Sequence, residues 1–83
     1  MSEERMEDRL KRMMVERLFM RVSPEEIAED KSLIDHYGVD SVSLLELVVG
    51  IEEEFGVQVD DDEFSVANFE TVSNLAAFVR GKM

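Results

Sequence analysis

The segment from Asp40 to Gly56 carries the signals of one complete amphipathic helix, and it restricts the fold of this chain most strongly. Asp40 is a preferred N-cap residue, and Gly56 supplies the left-handed position that commonly ends a helix. The residues between them place a broad apolar face on one side of the helix: Leu44, Leu45, Leu47, Val48, Ile51 and Phe55. Such a face is stable only when it is packed, so the pattern predicts a bundle of helices.

The chain before this helix is predicted to form a first helix and a long connection. Apolar side chains recur at helical spacing over residues 6–18, and we expect this Met-rich stripe to be core rather than a binding face. Residues 21–39 show no regular period. One turn of helix is predicted there, with Ser23 as N-cap, Pro24 at the first position and Glu26 completing a capping box.

Two more helices are predicted towards the C-terminus. Asp60 is expected to cap a short third helix, with Glu63 at its third position and Phe64 turned inward. The last helix is expected over residues 71–81, ending at the glycine. The predicted fold is therefore all-α, a single domain over residues 1–83 that forms a four-helix bundle with a long first loop and a short third helix.

Basic residues are missing from the middle of the chain. Residues 32–79 contain eleven acids and no Lys or Arg, whereas the first 31 residues hold seven basic and nine acidic side chains. Solubility explains a net charge of −11 but not this segregation. A negative field over the middle of the molecule repels nucleic acid and attracts basic partners. Nucleic-acid binding is therefore excluded from the expected functions.

Small size and the lack of cysteine narrow the function further. A chain of 83 residues has little volume for a catalytic cleft, which favours a carrier, adaptor or binding module over an enzyme. Without Cys, neither a disulfide nor a thiolate metal site is expected. The charged N-terminal segment lacks the apolar stretch of a signal peptide, and no apolar run is long enough to span a bilayer. We expect a cytoplasmic monomer without a membrane span.

The residues around Ser41 resemble a known attachment motif. Residues 38–47 read GVDSVSLLEL, with an Asp-Ser pair at the predicted start of the second helix. This segment resembles the phosphopantetheine attachment motif of the acyl carrier protein family, and the resemblance extends over residues 6–79. It implies a free-standing acyl carrier protein with a 4′-phosphopantetheine arm, taken from coenzyme A by a phosphopantetheinyl transferase and attached to Ser41.

A serine in the first turn of a helix suits this role. A phosphodiester formed there lies beside free backbone N–H groups and the positive end of the helix dipole. Gly38 is expected to permit a tight approach of the loop that leaves room for the modifying enzyme. The arm would end in the only thiol of the protein and carry acyl groups as thioesters. Local sequence alone leaves Ser41 and Asp40 open as an ordinary helix start.

The resemblance implies further roles on and near the second helix. Asp40 would contact the basic surface of the transferase that installs the arm. Recognition of acyl-transferring and condensing enzymes with basic surfaces is implied for four acids: Glu46, Glu52, Glu53 and Glu54. A cavity that shelters the acyl chain would be lined by four apolar residues: Val42, Leu45, Leu47 and Phe64. Solvated helix surface for the acids, and plain core for the apolar residues, are the alternatives.

Three positions depart from the common pattern of the family. Val42 follows the serine where Leu is common, and Ser43 stands where an acidic residue is common. Gly50 lies in the helix interior, at a cost of about 1 kcal/mol relative to Ala. These departures leave both a housekeeping fatty-acid carrier and a specialised carrier open.

Other functions stay open on the sequence. One is a carrier of an aminoacyl, peptidyl or polyketide unit, although Asp before the serine favours acyl or polyketide cargo. Another is a non-covalent adaptor that offers an acidic helical face to a basic partner. A calcium site at residues 60–63 is not expected, because the run lacks the alternating ligands and central Gly of an EF-hand loop. His36 is expected to be a solvated loop residue, since nothing in the sequence pairs with it as a catalytic triad.

Overall fold

The computed structural model describes residues 5–65 and 67–83, which form an all-helical bundle. This part of the chain contains three α-helices: α1 (Met6–Leu18), α2 (Ser41–Phe55) and α3 (Val72–Lys82). It also contains two single 3₁₀ turns, Pro24–Glu26 and Asp61–Glu63, and no strand. Within these ranges, none of the helices combines the length and the apolar character needed to cross a bilayer. The all-α prediction is confirmed.

The predicted short third helix is one 3₁₀ turn, so the described residues hold three α-helices instead of four. Asp61–Glu63 form this turn, and Phe64, with a ψ of 81°, leads the chain out of helical geometry. A single turn fixes many dihedral angles for few hydrogen bonds, so without further turns it depends on side-chain contacts for its stability. Its start is held because the Glu63 carboxylate accepts hydrogen bonds from the Asp60 N–H at 2.9 Å and from Lys82 Nζ at 2.6 Å.

The helical turn predicted in the connection is present, but its capping box is not. Pro24–Glu26 form a 3₁₀ turn, and the Ser23 side chain makes no cap hydrogen bond. The N–H of Glu26 donates instead to the backbone carbonyl of Ser23 at 2.9 Å. In a capping box, the Ser23 hydroxyl oxygen would accept a hydrogen bond from this same N–H. Because the 3₁₀ geometry directs the N–H to the backbone carbonyl, the hydroxyl lacks its expected donor.

Hydrogen bonds hold the connection between α1 and α2 to α1 and to α3. The Glu29 carboxylate accepts a hydrogen bond from Lys11 of α1 at 2.8 Å, and this bond lowers the pKa of the Glu29 carboxyl. The Glu29 carbonyl accepts a hydrogen bond from the Ser73 N–H of α3 at 3.0 Å. The Leu33 N–H donates to the Glu70 carbonyl, just before α3, at 2.8 Å. The segment that leads to α2 is therefore held in place by backbone and side-chain contacts.

The hydrophobic core lies between the three helices and the connection. Its completely buried side chains come from these four parts and from the segment before α3: Leu10, Met14, Ile27, Leu33, Leu47, Ile51, Phe69, Leu75 and Val79. Phe69 joins an aromatic cluster, with its ring centroid 5.4 Å from Phe64 and 5.9 Å from Phe78. Burial of Met13 and Met14 confirms that this part of the Met-rich stripe is core.

The last helix begins as predicted and runs one residue beyond the glycine that was expected to end it. The Thr71 hydroxyl caps α3 by accepting a hydrogen bond from the Asn74 N–H at 3.0 Å. Gly81 lies inside the helix without a left-handed φ. Arg80 donates to Glu7 of α1 at 2.8 Å, so contacts with α1 support the last turn of α3.

Candidate functional site

Ser41 occupies the first helical position of α2 and is exposed to solvent. The first backbone hydrogen bond of this helix runs from the Leu44 N–H to the Asp40 carbonyl at 2.9 Å. The N–H groups of Ser41 and Val42 therefore precede the intrahelical series, at the positive end of the helix dipole. A phosphate ester on the Ser41 hydroxyl would lie next to these donors, in a favourable electrostatic environment.

Asp40 is the N-cap of α2, and its side chain is exposed. Its Oδ1 atom accepts a hydrogen bond from the Ser43 N–H at 2.8 Å. This bond, together with one from the Ser43 hydroxyl, lowers the pKa of the Asp40 carboxyl. The residue before Ser41 is thus an anion throughout the neutral pH range, held at the edge of the helix.

The turn before α2 contains a left-handed glycine followed by a buried valine. Gly38 has a φ of 69°, in the left-handed region that glycine adopts without steric cost. No atom lies within 4 Å of the position a Cβ would take, so the backbone angle, and not the close approach expected from the sequence, explains this glycine. Val39 is buried, and its N–H donates to the Leu33 carbonyl at 3.0 Å. The chain is thereby anchored immediately before Ser41.

Arg17 of α1 reaches across α2 and bridges two of the acids proposed for partner recognition. It donates to Glu46 at 3.1 Å and to Glu53 at 2.5 Å. Its side chain passes over Gly50, where an added Cβ would lie only 2.7 Å from the Cδ and Nε atoms of Arg17. The glycine in the helix interior, unexplained by the sequence, makes room for this arginine.

The other two predicted recognition acids also have intramolecular partners. Glu52 accepts a hydrogen bond from the Val59 N–H at 2.9 Å and so holds the chain that follows α2. Glu54 lies 3.7 Å from Arg9, whose guanidinium carbon is 4.4 Å from the centroid of the Phe55 ring. Cations of α1 therefore compensate the acids at the C-terminal end of α2, where the helix dipole disfavours negative charge.

The four residues predicted to line an acyl-chain cavity are divided between surface and core. Val42 is 73% exposed and Leu45 is 53% exposed, whereas Leu47 is completely buried. The two exposed residues lie about 140° and 160° around the helix from Leu47, which accounts for the difference. Phe64 is half-buried and packs against the core. In this structure Val42 and Leu45 thus form surface, and the interior part of the prediction depends on Leu47 and Phe64.

A cavity of about 350 Å³ lies away from these residues, between α1 and the Pro24–Glu26 turn. Its lining is largely charged, unlike the apolar lining that suits an acyl chain: Asp8, Lys11, Arg12, Pro24 and Glu25. In the described ranges, no three His, Cys, Asp or Glu side chains are placed to hold a metal ion together. His36 is exposed and packs edge-on against Tyr37 at 4.7 Å, as a loop residue.

Comparison with known proteins identifies the family. The family described as the phosphopantetheine attachment site matches residues 8–79. An acyl carrier protein of Zymomonas mobilis subsp. mobilis is 39% identical over 72 residues, which cover 87% of each chain. The chain belongs to the acyl carrier protein family.

A second acyl carrier protein and a solved structure agree with this result. The acyl carrier protein of Buchnera aphidicola subsp. Acyrthosiphon pisum is 36% identical over 76 residues, which cover 92% of this chain and 90% of the relative. The solved structure of apo KstB-PCP has a TM-score of 0.74 and 30% identity, covering 89% of this chain and 81% of that one. The bundle described above is therefore a carrier-protein fold.

Membership of the acyl carrier protein family implies a covalently attached 4′-phosphopantetheine group. The start of α2 fits such a group, since it presents an exposed hydroxyl beside backbone N–H donors. Proteins of this family act as carriers and interact with a phosphopantetheinyl transferase and with biosynthetic enzymes. Sequence reasoning missed Arg17 and Arg9 as partners of the α2 acids, because only the packing of α1 on α2 brings them together.

Replacing Asp40 by alanine is expected to destabilise the carrier at pH 7 and to have little effect in acid. The folded-state pKa of Asp40 is lowered, so its stabilisation is present above the unfolded-state pKa of about 3.9 and disappears as the pH falls through the folded-state value. Urea unfolding at pH 7 and in acid, followed by circular dichroism, measures both. The control is Asp40→Asn, which keeps a capping oxygen without the charge; it should lose less stability than Asp40→Ala at pH 7, and the difference between these two variants should not change with pH. An Asp40→Ala defect of the same size at both pH values would contradict this role for the ionised carboxylate.

Proposed function

We propose that this protein carries acyl intermediates as thioesters on a 4′-phosphopantetheine arm attached to Ser41. The position of Ser41 carries the proposal: it is an exposed hydroxyl at the first position of α2, in a chain of the acyl carrier protein family. The cargo belongs to fatty-acid, polyketide or related biosynthesis.

The residues around Ser41 have distinct tasks in this proposal. The Ser41 oxygen loses its proton and bonds to the phosphorus that carries the pantetheine part of coenzyme A, while the diphosphate P–O bond breaks and adenosine 3′,5′-bisphosphate leaves. The N–H groups of Ser41 and Val42 and the dipole of α2 stabilise the negative charge of that diester. The attached group supplies a flexible arm with a terminal thiol, which the protein itself lacks. Gly38 and Val39 hold the attachment point at a constant position on the bundle.

Partner enzymes are proposed to approach the exposed face of α2. Asp40, Glu46 and Glu53 are exposed there and offer carboxylates to basic side chains, while the exposed Val42 and Leu45 offer apolar contact area. A surface of this mixed character suits transient complexes, in which charge guides the approach and apolar contacts add affinity. Glu52 and Glu54 extend the acidic surface towards the C-terminal end of the helix.

Intact mass spectrometry tests the proposal. The folded protein is incubated with coenzyme A and a broad-specificity phosphopantetheinyl transferase, beside a control without coenzyme A. We expect a gain of one phosphopantetheine, and tandem mass spectrometry of the peptide 41–46 should place it on Ser41. A folded protein that stays unmodified would overturn the carrier proposal and favour a non-covalent acidic adaptor.

A further inference from the structure

The acidic surface of α2 is partly occupied by a cation of the same chain. The Arg17 guanidinium donates to Glu46 and Glu53 together, and its side chain is 25% exposed. The two carboxylate side chains are 46% and 64% exposed, so they remain within reach of a partner. A basic side chain that approaches either acid therefore also approaches the positive charge of Arg17.

The position of Arg17 is built into the packing of the two helices. Gly50 lies one turn from each acid, and the missing side chain leaves the space that Arg17 fills. An added Cβ would also lie 2.8 Å from the sulfur of Met13, one turn before Arg17 on α1. The hydrogen bond to Glu53 is the leading cause of a raised pKa of Arg17. Gly50 thus weakens α2 as a helix but leaves the space in which Arg17 crosses it between the two acids.

We propose that Arg17 competes with the basic side chains of partner enzymes for Glu46 and Glu53. By occupying these two carboxylates, it weakens the binding of such partners. This inference rests on the proposed carrier function and concerns the partner surface of the same site. A partner ammonium or guanidinium bound to either carboxylate would lie roughly 6 Å from Arg17. At physiological salt, repulsion at that distance reduces affinity by between about twofold and tenfold, depending on the local dielectric. Arg17 therefore lowers the affinity of basic partners that use Glu46 or Glu53 by this factor.

The test compares two variants that remove one positive charge each. Arg17→Gln releases Glu46 and Glu53, whereas Arg80→Gln removes the nearer of two cations beside Glu7 in the first turn of α1, which keeps Arg5 at 3.6 Å. Glu7 lies about 15 Å along the axis of α1 from Arg17, beyond the screening length at physiological salt. We expect Arg17→Gln to lower the KM of the phosphopantetheinyl transferase for the carrier by about twofold to tenfold, while Arg80→Gln stays close to wild type. The difference should shrink at 1 M salt.

Each outcome distinguishes the inference from the proposed function. Equal KM values for wild type and Arg17→Gln, or a higher KM for the variant, would overturn the inference while leaving the carrier function intact. A wild type that receives no arm would overturn the carrier function itself. Circular dichroism checks that the variants fold. If Arg17→Gln does not, Arg17→Met keeps an apolar stem over Gly50 without the charge and is expected to lower the KM in the same way.

Discussion

The Ser41→Ala protein is expected to fold normally and to gain no mass from coenzyme A and a phosphopantetheinyl transferase. Ser41 is exposed at the first position of α2, and the cap of that helix is formed by Asp40 with the Ser43 N–H. Alanine is a good helix former, so the replacement removes the acceptor hydroxyl without disturbing the helix start. Intact mass and circular dichroism of the same sample separate loss of the acceptor from loss of folding.

Ser43→Ala is the matched control for this experiment. It removes a serine hydroxyl two residues away but keeps the backbone N–H that Asp40 accepts. We expect this variant to gain one phosphopantetheine, as the wild type does. Modification of Ser41→Ala, or failure of a folded Ser43→Ala protein to be modified, would contradict the assignment of the attachment point to Ser41.

Replacing Phe69 by alanine is expected to lower the free energy of unfolding by about 3–5 kcal/mol. Phe69 is completely buried, and its ring contacts those of Phe64 and Phe78. The truncation leaves a cavity and removes both aromatic contacts. For a small domain, a loss of this size is a large part of the total stability, so partial unfolding at 37 °C is expected. Urea unfolding followed by far-UV circular dichroism measures the effect.

Phe19→Ala provides the comparison for the same chemical change. Phe19 is 87% exposed, so truncating its side chain creates no cavity. Its left-handed φ of 53° strains alanine as much as phenylalanine, which leaves the backbone contribution unchanged. We expect a change within about 0.5 kcal/mol of wild type. Equal losses for the two variants would show that Phe69 does not contribute through burial.

The sequence predicted the bounds of α2 correctly, because the residues at its two ends determine where the helix begins and stops. Asp40 caps the helix with its own side chain, and Gly56 ends it with a φ of 67°. Helical periodicity also identified the buried Met13 and Met14 of α1. These features depend on hydrogen bonds and spacing within a few residues, which the sequence displays directly.

Features that depend on packing between distant segments could not be predicted in the same way. The bridge from Arg17 to Glu46 and Glu53 requires the relative position of α1 and α2, to which no local pattern points. Periodicity assigned Leu45 to the apolar face of α2. The core packs against the side of α2 that carries Leu47, however, so Leu45 is 53% exposed. The 3₁₀ turn at Asp61–Glu63 carries the capping signals of a longer helix, and the exit of the chain at Phe64 stopped its growth.

The fastening of the connection has a mechanical consequence for the carrier. Backbone hydrogen bonds between Leu33 and Glu70 and between Ser73 and Glu29 join the connection to the beginning of α3. Neither part can separate from the other without breaking them. Movement of the residues that lead to Ser41 is therefore opposed by hydrogen bonds to a second segment of the chain. If Ser41 carries the proposed arm, the reach of its thiol is then expected to depend mainly on rotations within the arm.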